Sequence, residues 1–117
     1  MTGFEIYEMA MSLLGYTDEN ADTVPDKSVQ KRAIASINQI SLDIENAASI
    51  TRLSQTVTTD ERFKEIMPYG VAMLLALSEG DTHQNVIFTA LYNAKRSAVK
   101  SKIVSVKDTM PKAEGIM

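Results

Sequence analysis

The residues able to do chemistry are few, and their spacing does not suit it. The single histidine, His83, could serve as a general base or a metal ligand, but it stands alone at the start of a helical segment and reads as a surface residue. There is no cysteine, so disulfides, thiolate metal sites and cysteine nucleophiles are excluded. A zinc site built on one histidine would rest mostly on carboxylates, an uncommon donor set. Asp18, Asn20 and Asp22 have the spacing of the first ligands of a calcium loop. The position that needs glycine is Thr23 and the one that needs a bidentate glutamate is Val29, so the loop is not of that kind. Asp60, Glu61 and Glu65 could pair as acid and base, yet a helix-cap role accounts for Glu61 and solvent exposure for the others. Neither G-x-x-x-x-G-K nor G-x-S-x-G occurs. The inventory points away from an enzyme and implies no cofactor and no metal.

The elements that position these residues are helical. Thr2 with Glu5 forms a capping box, and Phe4, Tyr7, Met11 and Leu14 recur at helical spacing up to Gly15, predicting a helix over Phe4–Leu14. The polar stretch Tyr16–Asp26 reads as a loop. Ala33, Ile37, Ile40, Ile44 and Ala47 recur at steps of four and three, predicting a second helix over Ser28–Ala48. The β-branched and hydroxyl residues of Ile50–Thr58 favour an extended or looped path, and Thr58 with Glu61 offers another capping box.

The segment EIMPYGVAMLLALSEGD, Glu65–Asp81, contains the longest apolar run, Val71–Leu77. Pro68 fits the first turn of a helix, so it either starts this helix or kinks it against a shorter turn at Asp60–Met67; the expected span is Pro68–Ser78. Gly80 is the natural C-cap. Asp81 caps the next helix, with Gln84 completing a capping box. A run with no polar face is enclosed by protein, and in so small a chain another subunit is expected to cover part of it. Gly70 is expected to allow a close approach by the fourth helix near Tyr92. That helix is predicted over Thr82–Ile103, with Ile87, Leu91, Ala94 and Ala98 as one stripe, widened by Phe88, Tyr92, Val99 and Ile103. Beyond it, 104–117 contains Pro111 and no helical period, and is expected to be extended or mobile. The fold class is thus all-α: a four-helix domain over 1–103, an extended segment between the second and third helices, and a C-terminal tail.

With 117 residues, 44% of them hydrophobic, the chain supports one small domain. The net charge of −3 argues against a general nucleic-acid binder. The N-terminal stretch carries acidic residues where a signal peptide has basic ones, and no apolar run approaches the ~20 residues of a membrane span; a soluble, intracellular chain is expected. Charge is polarised. Glu5, Glu8, Asp18, Glu19, Asp22 and Asp26 precede the first lysine, whereas Lys95, Arg96, Lys100, Lys102, Lys107 and Lys112 crowd the last part. These are either two solvated faces or complementary faces for head-to-tail contact between copies.

The string Met67-Pro68-Tyr69-Gly70-Val71-Ala72, then Glu79-Gly80-Asp81, then Phe88, Leu91-Tyr92-Asn93 and Lys95-Arg96, resembles the head–tail connector (adaptor) proteins of tailed phages and prophages. Leu13-Leu14-Gly15-Tyr16 and Ile37-Asn38-Gln39-Ile40 are similar to the same group. The resemblance spans about Phe4–Val99, with Met67 where leucine is expected. It implies a non-enzymatic virion protein, present in the host cytoplasm during assembly. Such a protein forms a ring with copies of itself beneath the portal and contacts portal and tail-completion proteins. DNA is present only as channel contents, and no membrane is involved. By this resemblance Pro68, Tyr69, Gly70, Gly80, Asp81, Tyr92, Lys95 and Arg96 are the fold and interface motif, to which the basic run at the end of the fourth helix adds Lys100. The alternative is another phage morphogenesis factor, such as a small DNA-packaging subunit.

Overall fold

Each helix starts where a short polar side chain can satisfy backbone N–H groups that have no partner in the first turn. Thr2 accepts from the Glu5 N–H while the Glu5 carboxylate accepts from the Thr2 N–H, so the first capping box forms as its spacing predicts. Asp26 accepts from Val29 N at 2.9 Å, Asp60 from Arg62 N at 2.9 Å and Asp81 from Gln84 N at 3.1 Å. The computed structural model describes residues 1–16, 26–46 and 49–115, with side chains described as far as Val99. Its helices are α1 (Gly3–Leu14), α2 (Lys27–Asp43), α3 (Glu61–Ser78) and α4 (Thr82–Gly115). Among the described residues no strand forms; one antiparallel bridge joins Thr2 to Thr56. The protein is all-α, as the periodicity predicts. Most of the expected loop between α1 and α2 lies outside the described residues.

Three boundaries differ from the sequence reading. The second helix stops at Asp43 rather than Ala48. Glu45 takes a left-handed conformation, φ 62°; its N–H donates to Leu42 O and that of Asn46 to Ser41 O at 2.8 Å. This turn closes off the last carbonyls of α2. The Asn46 side chain then donates to Val57 O at 2.9 Å, fixing the chain as it leaves. The third helix begins well before Pro68, which sits inside it and is fully buried. Asp60, not Thr58, is its cap; Thr58 instead accepts from Asp60 N. Burial of the proline ring offsets part of the ~3 kcal/mol that an interior proline costs. The backbone of α4 is helical to Gly115, beyond the boundary at Ile103, while its side chains from Lys100 onward lie outside the described residues.

α3 is the centre of the domain and packs against each of the other helices. Ile6, Ala10 and Leu14 of α1, Ala33, Ile37 and Ile40 of α2, and Phe88 and Tyr92 of α4 form one buried cluster around Ile66, Val71, Ala72, Leu75 and Ala76. The chain's own helices therefore cover most of the Val71–Leu77 run, and within it only Leu77 is left exposed.

The described part of the segment between α2 and α3 is irregular, within the extended or looped path expected, and it closes the base of this core through buried Ile50, Leu53 and Val57. The Asn38 carboxamide holds Ile50 at both backbone groups, donating to its carbonyl at 2.9 Å and accepting from its N–H at 2.8 Å. The start of α1 lies against it, with Phe4 N donating to Leu53 O at 2.9 Å. A Cβ on Gly3 would come within 2.9 Å of that same carbonyl, so glycine is what permits this approach.

Candidate interaction surface

The residues singled out by sequence converge on two places, the α3–α4 joint and the turn that leads into it. At the joint Gly70 faces Ile40 and Tyr92; a Cβ built there would lie 2.8 Å from each. The Tyr92 ring is 2% exposed, and its hydroxyl donates to the Asp43 carboxylate of α2. Burial, and then that hydrogen bond, push the phenol far above its ordinary value. Arg96 donates to the same carboxylate oxygen at 2.7 Å, which raises the guanidinium further still. Tyr69 packs against Phe88 with ring centroids 6.1 Å apart, and the Lys95 ammonium lies 4.4 Å from the Tyr69 ring centroid, a cation–π contact. Both Lys95 and Arg96 thus have partners inside the chain. The Lys100 side chain lies outside the described residues.

At the turn, Gly80 (φ 73°) lets Asp81 N reach back to Ala76 O at 2.9 Å and ends α3. Asp81 then caps α4 and accepts from the Tyr16 hydroxyl at 2.6 Å. That contact lowers the carboxylate and pushes the Tyr16 phenol up to about 12. Gln84 does not complete the capping box. Its amide donates to Leu14 O at 3.1 Å, satisfying the last turn of α1 instead. The ends of α1 and α3 and the start of α4 are joined at this corner.

The outward face of α4 is the unexpected feature. Of the two stripes read from the sequence, Phe88 and Tyr92 turn inward, while Ile87 and Leu91 remain 39% and 41% exposed, with Ala94 and Ala98 exposed along the same line. Val86 and Ala90 are exposed beside them. No charged side chain is exposed on α4 from Thr82 to Val99; its two charged residues there, Lys95 and Arg96, are partly buried. Polar Asn93 and Ser97 are exposed beside this line, so water meets a mixed surface whose apolar part is the line Ile87, Leu91, Ala94 and Ala98. An open groove of about 760 Å³ also runs between α2, α3 and α4, lined by Leu42, Asp43, Leu74, Tyr92 and Arg96 among others.

No sequence signal points to Asp43 or Asn38 as organising residues, since their partners are distant in the chain. Among the described residues no group of three or more His, Cys, Asp or Glu is placed to hold a metal ion, and no helix is long and apolar enough to cross a membrane. No family model, curated protein or solved structure matches the chain. Among the described residues the face of α4 groups the exposed apolar side chains of Val86, Ile87 and Leu91.

Proposed function

We propose that the chain is a non-enzymatic structural protein of a tailed phage or prophage, a head–tail connector that assembles as a ring between portal and tail. The observation that carries this reading is the uncharged, apolar outer face of α4 on an otherwise compact helical domain. A contiguous exposed apolar face of that kind marks a surface that another protein covers. The residues behind the resemblance also have a consistent physical role: Tyr69 and Gly70 on α3 and Phe88, Tyr92 and Lys95 on α4 pack those two helices into one unit, and Tyr92 and Arg96 tie that unit to Asp43 of α2. A unit tied in this way suits a part that is repeated around a ring, because small errors in shape accumulate over the circuit.

The test mixes the protein with the portal encoded beside it. Light scattering and electron microscopy should show a stoichiometric complex with a ring on the portal. If no complex forms with the correct portal, the reading is overturned. Binding to duplex DNA that weakens steeply with salt, without portal binding, would assign the chain to DNA packaging instead.

A further inference from the structure

We infer that the uncharged face of α4 is covered by the outer face of α1 from a second copy of this chain, the two helices running antiparallel. The inference rests on the reading of the protein as self-assembling and names the surfaces involved. Four observations lead to it. First, α1 also has an open outer stripe: Glu5, Glu8, Met9, Ser12 and Leu13 are all exposed, with Met9 and Leu13 at 45% and 37%, and together they line an open depression. Second, both stripes are exposed in the same molecule, so neither covers the other within one chain.

Third, the charges complement each other in only one direction. The acidic residues of the α1 stripe, Glu5 and Glu8, lie at its N-terminal end, and among the described residues no hydrogen bond or ion pair holds the Glu8 side chain. The α4 stripe is uncharged to Ala98, after which the helix continues through Lys100 and Lys102. Antiparallel packing places Met9 and Leu13 against Leu91 and Ile87, puts Glu5 level with Lys95, and directs the acidic end of α1 toward the end of α4 that runs on to Lys100 and Lys102. Opposed helix dipoles add to the attraction. Parallel packing would instead bring Glu5 and Glu8 toward Asp81 at the start of α4. Fourth, Ala90, Ala94 and Ala98 recur one turn apart, which lets a partner helix come close while Ile87 and Leu91 supply the apolar contact. Because the two surfaces differ, the contact is heterologous; every copy keeps one free face of each kind, and the assembly grows until its rotation closes it.

The absence of cysteine makes the test clean. Leu13→Cys and Ile87→Cys are made separately, both at exposed positions, and mixed at millimolar concentration under mild oxidation. A disulfide-linked pair should form in the mixture at least about tenfold above either variant alone, and above a control mixture carrying Thr59→Cys, a discrimination that needs only modest association. Carried on one chain, the two cysteines should give a ladder of multimers.

Three results overturn the inference. If Ile87→Cys alone cross-links as readily as the mixture, α4 packs on α4. If Met9→Cys pairs with Ile87→Cys more readily than Leu13→Cys does, the helices run parallel. If no pair exceeds the control, the two faces do not meet. Leu91→Glu supplies a second readout: melting should stay close to that of the unsubstituted protein because the side chain is exposed, while cross-linking falls by about tenfold or more. Portal binding without these cross-links removes only this inference; cross-links without portal binding remove the connector reading and leave the interface standing.

Discussion

At the scale of single residues, Gly70 and the Tyr16–Asp81 pair give the sharpest expectations. A glycine inside an exposed helix is worth replacing, since alanine gains about 1 kcal/mol. Gly70 is not exposed, and a methyl there meets the Tyr92 ring, which Asp43 anchors, and the Ile40 side chain. Overpacking of this kind costs about 1–3 kcal/mol, so Gly70→Ala should lower the melting temperature; an increase would show that the neighbours yield freely. The sequence makes this position legible, because glycine weakens an apolar helix unless a neighbour needs the space. The Tyr16–Asp81 contact is not legible in the same way, because the two residues are far apart in the chain. It has a pH signature. The Asp81 carboxyl is lowered in the fold, so its share of stability is present above about pH 4 and lost as pH falls through the folded value. The Tyr16 phenol is raised to about 12, so its share is present below about pH 10 and lost between there and 12. The difference in stability between the unsubstituted protein and Tyr16→Phe should therefore be flat across the middle range and shrink at both ends. A difference that is constant from acid to alkaline pH would mean the hydrogen bond contributes nothing.

At the scale of elements, caps decide where helices end, and the cap of α2 is the one the pattern hides. Ala33, Ile37, Ile40, Ile44 and Ala47 continue the helical spacing past the true end, because Ile44 is buried just beyond the last helical residue. Periodicity reports which side chains are inside; it does not report the backbone conformation of the residue after them. Glu45 holds a conformation that glycine adopts without strain and that costs other residues about 1–2 kcal/mol. Glu45→Gly should relieve this, and after the entropy that glycine adds to the unfolded chain a net gain of about 0.5–1 kcal/mol is expected by chemical denaturation. A loss would mean that the Glu45 side chain supports the turn. The α4 stripes show the same principle. Ile87, Leu91, Ala98 and Phe88, Tyr92, Val99 have identical spacing and lie on adjacent lines of the helix. Spacing alone gives the period, and the packing of the larger rings against α3 decides the phase.

At the scale of the whole molecule, α3 is enclosed by three helices of its own chain, which sets how severe a buried charge will be. Val71 is fully buried, whereas Leu74 is only partly so and borders the open groove. Val71→Asp places an unpaired carboxylate in the core at a cost of several kcal/mol, comparable to the ~5–15 kcal/mol stability of a domain, and should unfold the protein. Leu74→Asp should leave a folded protein with a lowered melting temperature, as circular dichroism would show. Equal effects would mean that the groove is closed. The enclosure also changes how the basic end is tested. Arg96 pairs with Asp43, so reversing its charge perturbs the fold as well as any contact between copies, and the exposed apolar residues of α4 are the cleaner probes of assembly.

The sequence by itself determined the all-α class, the starts of α1, α2 and α4, the turn at Gly80-Asp81 and the close approach at Gly70. All of these obey short-range rules: a cap acts within one turn, and an apolar period is written along a single helix. Only the tertiary structure decided that α3 absorbs Pro68 and is covered by its own chain, that Asp43 binds Tyr92 and Arg96, and that the open apolar face belongs to α4. Those outcomes depend on which helix surfaces meet, and that is set by the competition among all four helices for a limited core. A local pattern shows that a surface must be buried; it does not show against what.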